Sequence, residues 1–171
     1  MPIDLILPTS MLMAIVAWSL IFVWYVHPVL RAWSFQEAMR PLLLLHTFRY
    51  VGLMFLIPGV TAEALDMRFA WPAAYGDLVA ALLAFAALGA LYINRMGGVV
   101  AVWIFNIWGL IDLLNAVARG ILFTPDGALG AAFWIPALIV PLLLVTHVYI
   151  FGRLFGEMRT SRSSEPLTNQ T

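Results

Sequence analysis

Five stretches of this chain are each long and apolar enough to cross a bilayer, and no other feature constrains the fold as much. A spanning helix needs about 20 mostly apolar residues. The stretches are 7–27, 41–60, 72–93, 98–118 and 129–151, and together they take up most of the 171 residues. The expected fold is therefore all-α: one bundle of five transmembrane helices over residues 1–157, followed by a polar, frayed tail over 158–171. With 63% hydrophobic and 11% charged residues, the chain has too little polar surface for a water-soluble globule, which is nearer half apolar and a quarter charged. An odd helix count and the lack of an internal repeat argue against a simple inverted-repeat transporter.

The punctuation agrees with these limits. Pro41 and Pro72 sit where a first helical turn tolerates proline. Pro58-Gly59, Gly97-Gly98 and Pro125-Asp126-Gly127 read as turns between spans. Pro136 and Pro141 lie inside the fifth span, so a kink is expected there. The first span lacks the preceding positive charge and the small-residue cleavage site of a signal peptide. It is expected to stay as an anchor.

Arginine placement sets the expected orientation. All nine basic residues are Arg. Arg31, Arg40, Arg95, Arg153, Arg159 and Arg162 fall on one side of the five spans, and Arg68 and Arg119 on the other. Positive charge accumulates on the cytoplasmic side, so the N-terminus is expected outside and the C-terminus in the cytoplasm of a bacterial inner (plasma) membrane. The segment between Arg31 and Arg40, with Trp33, Phe35 and Met39 among charges, reads as an interfacial piece lying on that surface.

Composition also removes whole classes of function. Nine acids balance nine bases, which leaves no basic excess for nucleic acid. With no Cys there is no disulfide, thiolate metal site, iron–sulfur cluster or cysteine nucleophile. No phosphate-binding Gly loop, nucleophile elbow or zincin pair occurs, so nothing in the sequence asks for an enzyme.

What remains is a small set of polar side chains at membrane depth, where ionisable groups are costly and face the bundle interior. They are His46 and Arg49 in the second span, Asp77 in the third, Asp112 in the fourth and His147 in the fifth. Asp77 aligns with Ala73, Ala80 and Ala84, a small-residue packing face. On the fourth span Trp108, Asp112, Asn115 and Arg119 share a side, with Asn106 rotated away; on the second, His46, Arg49, Tyr50 and Leu53 do. By depth, the two histidines share a level in the cytoplasmic half and the two acids share one in the opposite half. An unpaired arginine near the bilayer centre costs about 2.5 kcal/mol or more on insertion scales, so Arg49 is expected to pair with Asp112 or Asp77. The other acid then has no cation in view except Arg119.

Three functional readings follow. The first is a ligand, proton or ion site made by Arg49, Asp77, Asp112, Asn106, Asn115, Trp108 and Tyr50. The second is a structural or assembly subunit, with the alanine face meeting a membrane partner or a second copy. The third is a single-haem electron carrier, with His46 and His147 as axial ligands of haem b; a hydrogen-bonding role for each histidine is the expected alternative, with no cofactor. Trp18, Trp103 and Trp108 either line a pocket for a flat ligand or face lipid and core.

Five spans, short length and seven tryptophans resemble the tryptophan-rich sensory protein family, which binds porphyrins and sterols. That family's proline-rich signature after the first helix is replaced here by Arg31-Ala32-Trp33-Ser34-Phe35-Gln36-Glu37, so none of its binding residues carries over. The stretches His46-Thr47-Phe48-Arg49-Tyr50-Val51-Gly52-Leu53-Met54-Phe55 and Trp71-Pro72-Ala73-Ala74-Tyr75-Gly76-Asp77-Leu78 resemble small bacterial inner-membrane proteins of unassigned function. That resemblance implies a setting and no activity.

Overall fold

The computed structural model describes residues 5–163, so Asp4 and the tail beyond Ser163 lie outside the described residues. The described chain is all-helical. Helix α1 is Ile6–Ala32, with a π-helical turn at Phe22–Val26 just before Pro28. Helix α2 is Phe35–Thr47 and runs straight on into a 3₁₀ segment, Phe48–Leu56. Helices α3 (Met67–Ile93) and α4 (Arg95–Phe123) follow. A 3₁₀ turn (Gly130–Phe133) and a π turn (Ile135–Ile139) then lead into α5, Val140–Ser163.

Four helical runs among the described residues are long and apolar enough to cross a membrane: Ile6–Ala32, Met67–Ile93, Arg95–Phe123 and Gly130–Arg159. The second expected span differs from these, being a 13-residue α-helix continued by nine residues of 3₁₀. The expected kink near Pro136 and Pro141 takes the form of the π turn, where the Leu138 carbonyl accepts the Trp18 indole N–H at 3.0 Å.

Local chemistry sets the helix ends. Ser34 and Glu37 form a capping box at the start of α2, each satisfying a backbone N–H of the other's residue. The segment expected on the membrane surface is therefore the tight join of α1 to α2, with Phe35 and Met39 buried in the core. Between α3 and α4 the break falls at Asn94, earlier than Gly97-Gly98. Its extended backbone stops α3 and its Oδ1 accepts from the Gly97 N–H at 2.6 Å, capping α4. Gly59 (φ 83°) and Gly127 (φ 77°) supply the positive φ that the Pro58-Gly59 and Pro125-Asp126-Gly127 turns require.

Pro72 lies inside α3 rather than at its start. Proline has no N–H to give the carbonyl four residues back, which is that of Arg68. Arg119 supplies the missing donor, its Nη1 meeting the Arg68 carbonyl at 3.0 Å. Arg119 is thus used to mend a proline defect and does not reach either buried acid.

Helix α3 is the spine, packed along α4, the 3₁₀ segment and α2. Ala73, Ala80 and Ala84 are buried, as the packing face requires, together with Ala70, Ala74, Ala81 and Ala87. That face is consumed within the chain, against α4, the 3₁₀ segment and α2. Helix α1 leans on α5 and the π turn from outside, with 11% of its most apolar window buried.

Two apolar clusters fill the interior. One gathers Leu43, Ala84, Phe105 and Ile150; the other gathers Phe55, Ala73, Leu113 and Leu143. On each of the four inner elements the buried polar residues fall between a member of one cluster and a member of the other. The polar centre is therefore a middle layer between two dry halves.

Asp66 caps α3 and is held below the usual carboxylate range, chiefly by the Arg68 guanidinium hydrogen bonds and then by the Arg68 backbone N–H. A lowered folded-state pKa means that this contribution is complete above the unfolded value and is lost as pH falls through the folded one. Acidification should fray the start of α3. The check is the hydrogen-exchange protection at Arg68 N–H, corrected for intrinsic rate, which should fall with pH in the wild type and stay flat in Asp66→Asn.

Candidate functional site

The sequence places one guanidinium on the second span, and the 3₁₀ winding there decides what it meets. A 3₁₀ helix has three residues per turn, so positions three apart line up on one face. Arg49, Gly52 and Phe55 are the buried residues of this segment, while Tyr50 is 48% exposed. The face expected from α-helical spacing, with Tyr50 and Leu53 beside Arg49, is therefore rotated. Tyr50 leaves the site.

Arg49 bridges both carboxylates instead of choosing one. Its Nε donates to Asp77 Oδ1 and its Nη2 to Asp112 Oδ2, each at 2.7 Å. Its Nη1 donates to the Gly109 carbonyl at 3.1 Å and faces His147 Nε2 at 3.4 Å. Four partners thus converge on one planar fork, on three neighbouring elements. Charge-assisted bonds of this kind are the strong ones, and in a low-dielectric interior losing one partner costs about 3–5 kcal/mol.

The histidines join this network and do not form a separate layer. Helix α3 starts earlier than the expected 72 and α4 ends later than the expected 118, so Asp77 and Asp112 lie about three turns inside α3 and α4. The long Arg49 side chain then closes the remaining gap to His147. Asn106 Nδ2 donates to the His147 carbonyl at 3.2 Å, which turns its Oδ1 toward His147 Nδ1 at 2.6 Å. An amide oxygen only accepts, so Nδ1 carries the proton and Nε2 is the bare acceptor that Arg49 faces. Asn106 is therefore in the centre through His147, on a different side of α4 from Asp112.

The same logic sets His46. Thr146 Oγ1 donates to the Leu143 carbonyl at 2.9 Å and so accepts from His46 Nε2 at 3.0 Å. That leaves His46 Nδ1 a buried acceptor with no hydrogen-bond partner among the described residues.

Haem or metal ligation by the histidine pair does not fit this arrangement. Each N–metal bond takes about 2 Å, and both ring nitrogens must point at the ion. The two rings instead pack tilted with centroids 4.4 Å apart, and His147 has both ring nitrogens engaged, Nδ1 with Asn106 and Nε2 with Arg49.

Other sequence-expected members fall outside the centre. Asn115 is exposed and accepts from Arg119 Nε at 3.0 Å. Trp108 is 45% exposed, its indole 3.5 Å from the Gly76 carbonyl. Trp103 packs against Phe151 and Phe155.

Sequence reading missed three glycines, each on a different element. A Cβ on Gly52 would run into the Asp77 carboxylate, one on Gly76 into that of Asp112, and one on Gly109 into His147 and Arg49 Nη1. Their lack of a side chain is what lets the charged groups lie against neighbouring backbone. The available signal was position: Gly52 is one 3₁₀ turn from Arg49, and Gly76 is next to Asp77.

A cavity of about 600 Å³ opens beside this centre. Phe55, Phe69, Leu113 and Val117 wall it, and Asp77 is the one centre residue that lines it. Oδ2 of Asp77 and Oδ1 of Asp112 accept no hydrogen bond among the described residues.

A protein-family comparison matches residues 6–155 to a domain of unknown function (DUF8737). The chain belongs to that family. No curated protein and no solved structure matches it.

The glycine contacts give a paired test. Gly109→Ala should lower stability by about 1–3 kcal/mol, the usual cost of overpacking. Gly89→Ala, on the same fold with nothing within 4 Å of the added atom, should gain up to about 1 kcal/mol of helix propensity. Unfolding midpoints in mixed detergent micelles compare the two.

Proposed function

We propose that this is a multi-pass protein of a bacterial inner membrane with five crossing elements, whose buried Arg49–Asp77–Asp112 centre binds a small molecule, a proton or an ion. The second crossing is the run 35–56. Its rise is about 20 Å of α-helix plus about 18 Å of 3₁₀, against a hydrocarbon core of about 30 Å. The N-terminus is outside and the C-terminus cytoplasmic. In support, the arginines assigned to the cytoplasmic side bond at one end of the bundle. Arg153 holds the Leu30 and Trp33 carbonyls, and Arg95 pairs with Glu157. Arg68 and Arg119 meet at the other end.

The observation that carries the reading is the second carboxylate. Fixing helix register needs one acid for one arginine. Here a single guanidinium holds two acids from two helices, which leaves a formal charge of minus one where lipid surrounds the bundle. A surplus buried charge is expensive, and a bound proton or cation relieves it.

Asp112→Asn tests this, because the amide keeps the shape and can still accept from Arg49. The variant should fold, while proton flux in proteoliposomes or small-molecule retention by native mass spectrometry changes about tenfold, equivalent to about 1.4 kcal/mol. Wild type and variant agreeing in folding, flux and retention would sink the proposal.

A further inference from the structure

We infer that the cavity beside the charged centre takes a lipophilic amine, its protonated nitrogen docking on Asp77 and its apolar body filling the space between α3, α4 and the start of α1. This rests on the reading of the centre as a binding site and names the class of its ligand.

Size and lining come first. Small-molecule pockets run to about 300–1,000 Å³, mostly apolar with a few placed polar groups, and this one measures about 600 Å³. Its walls are aliphatic and aromatic, with Phe55 and Phe69 edge to face at 5.1 Å. Such walls select a greasy body.

Charge then selects the head. Two ionisable residues line the cavity, Asp77 and Asp126, and both are acids. Asp126 stands exposed in the turn between α4 and α5, while Asp77 is buried next to Arg49. An incoming cation meets negative charge at both positions, and an anion is repelled at both. Arg49 does not line the cavity, and of its five N–H donors three already go to a carboxylate or a carbonyl while Nη1 also faces His147 Nε2.

The hydrogen-bond inventory selects an N–H donor. Arg49 occupies Asp77 Oδ1 and leaves Oδ2 without a donor among the described residues. An ammonium has donors to give and no acceptor. It brings the one positive charge that the centre lacks, and Phe55 and Phe69 offer ring faces and edges beside it. A neutral alcohol satisfies Oδ2 without the charge, and a quaternary ammonium brings the charge without a donor, so both bind more weakly.

The test uses a series that shares a phenylalkyl body and differs in its head: phenylbutylamine, phenylbutanol, phenylbutyrate and a trimethylated phenylbutylammonium. Each is titrated calorimetrically into the full-length protein in nanodiscs, with empty nanodiscs subtracted. Wild type should bind the amine saturably at one site, about tenfold or more tighter than the alcohol or the quaternary ion, and should not bind the carboxylate. Asp77→Asn should bring amine and alcohol to equal affinity. Gly120→Leu provides a second, steric test that leaves the charged centre untouched. The added Cβ meets Phe69 at an ordinary 3.6 Å, and the side chain fills the cavity, so amine binding should vanish with the unfolding midpoint retained. A wild type that ignores the amine, or either variant binding it as wild type does, overturns the inference. The Asp112→Asn flux result stands apart from all of these, so a centre that handles protons alone would show itself by altered flux without amine binding.

Discussion

A guanidinium cannot sit unpaired among buried helices this apolar, and meeting that requirement organises the middle of this bundle. Arg49 reaches its partners from a segment wound as 3₁₀ over nine residues, although such helices rarely run beyond three or four. The winding has a geometric consequence. It aligns Arg49, Gly52 and Phe55 on one line, so that a single face delivers the charge, the clearance for Asp77 and a wall of the cavity. A regular α-helix would spread these three residues around about 120° of its surface. One face of this segment, with Arg49, Gly52 and Phe55, is buried against α3, while Phe48 and Tyr50 point outward.

The paired groups then fix one another's protonation and tautomer. Asn106 is held by the His147 carbonyl, which commits its amide oxygen to His147 Nδ1 and leaves Nε2 free to face Arg49. Reversing any one bond would set donor against donor further along. Such a network is fully determined by a few side chains on α4, α5 and the 3₁₀ segment. It supports itself only when all of them are present, since an unsatisfied member of a buried network is worse than an apolar residue.

Much of this was legible in the chain. Apolar run length fixes the helical class, and the cost of buried ionisable groups picks out Arg49, Asp77, Asp112, His46 and His147 without any coordinates. The alanine face of α3 follows from spacing alone. Geometry that depends on winding was not legible. Assuming 3.6 residues per turn put Tyr50 beside Arg49, and the 3₁₀ period removed it. Assuming that Pro72 opened its helix misjudged the depth of Asp77, because Arg119 repairs the proline's missing hydrogen bond and lets the helix begin at Met67. The expectation of one acid per arginine failed for a different reason. A planar fork with five donors can serve two carboxylates at once, and sequence carries no count of how many will converge.

The placement of the cavity gives the polar layer a direction. Of the groups around Arg49, Asp77 alone opens on it, while Asp112 lies across the guanidinium and the histidines lie beyond. On the proposed reading, a ligand or proton on Asp77 competes with Arg49 Nε for that carboxylate. Arg49 Nη1 in turn faces His147 Nε2, and His147 Nδ1 meets Asn106 Oδ1. The layer thus joins an apolar chamber in one half of the bundle to a packed imidazole pair at the edge of the other, with Arg49 as the only charged link between them among the described residues.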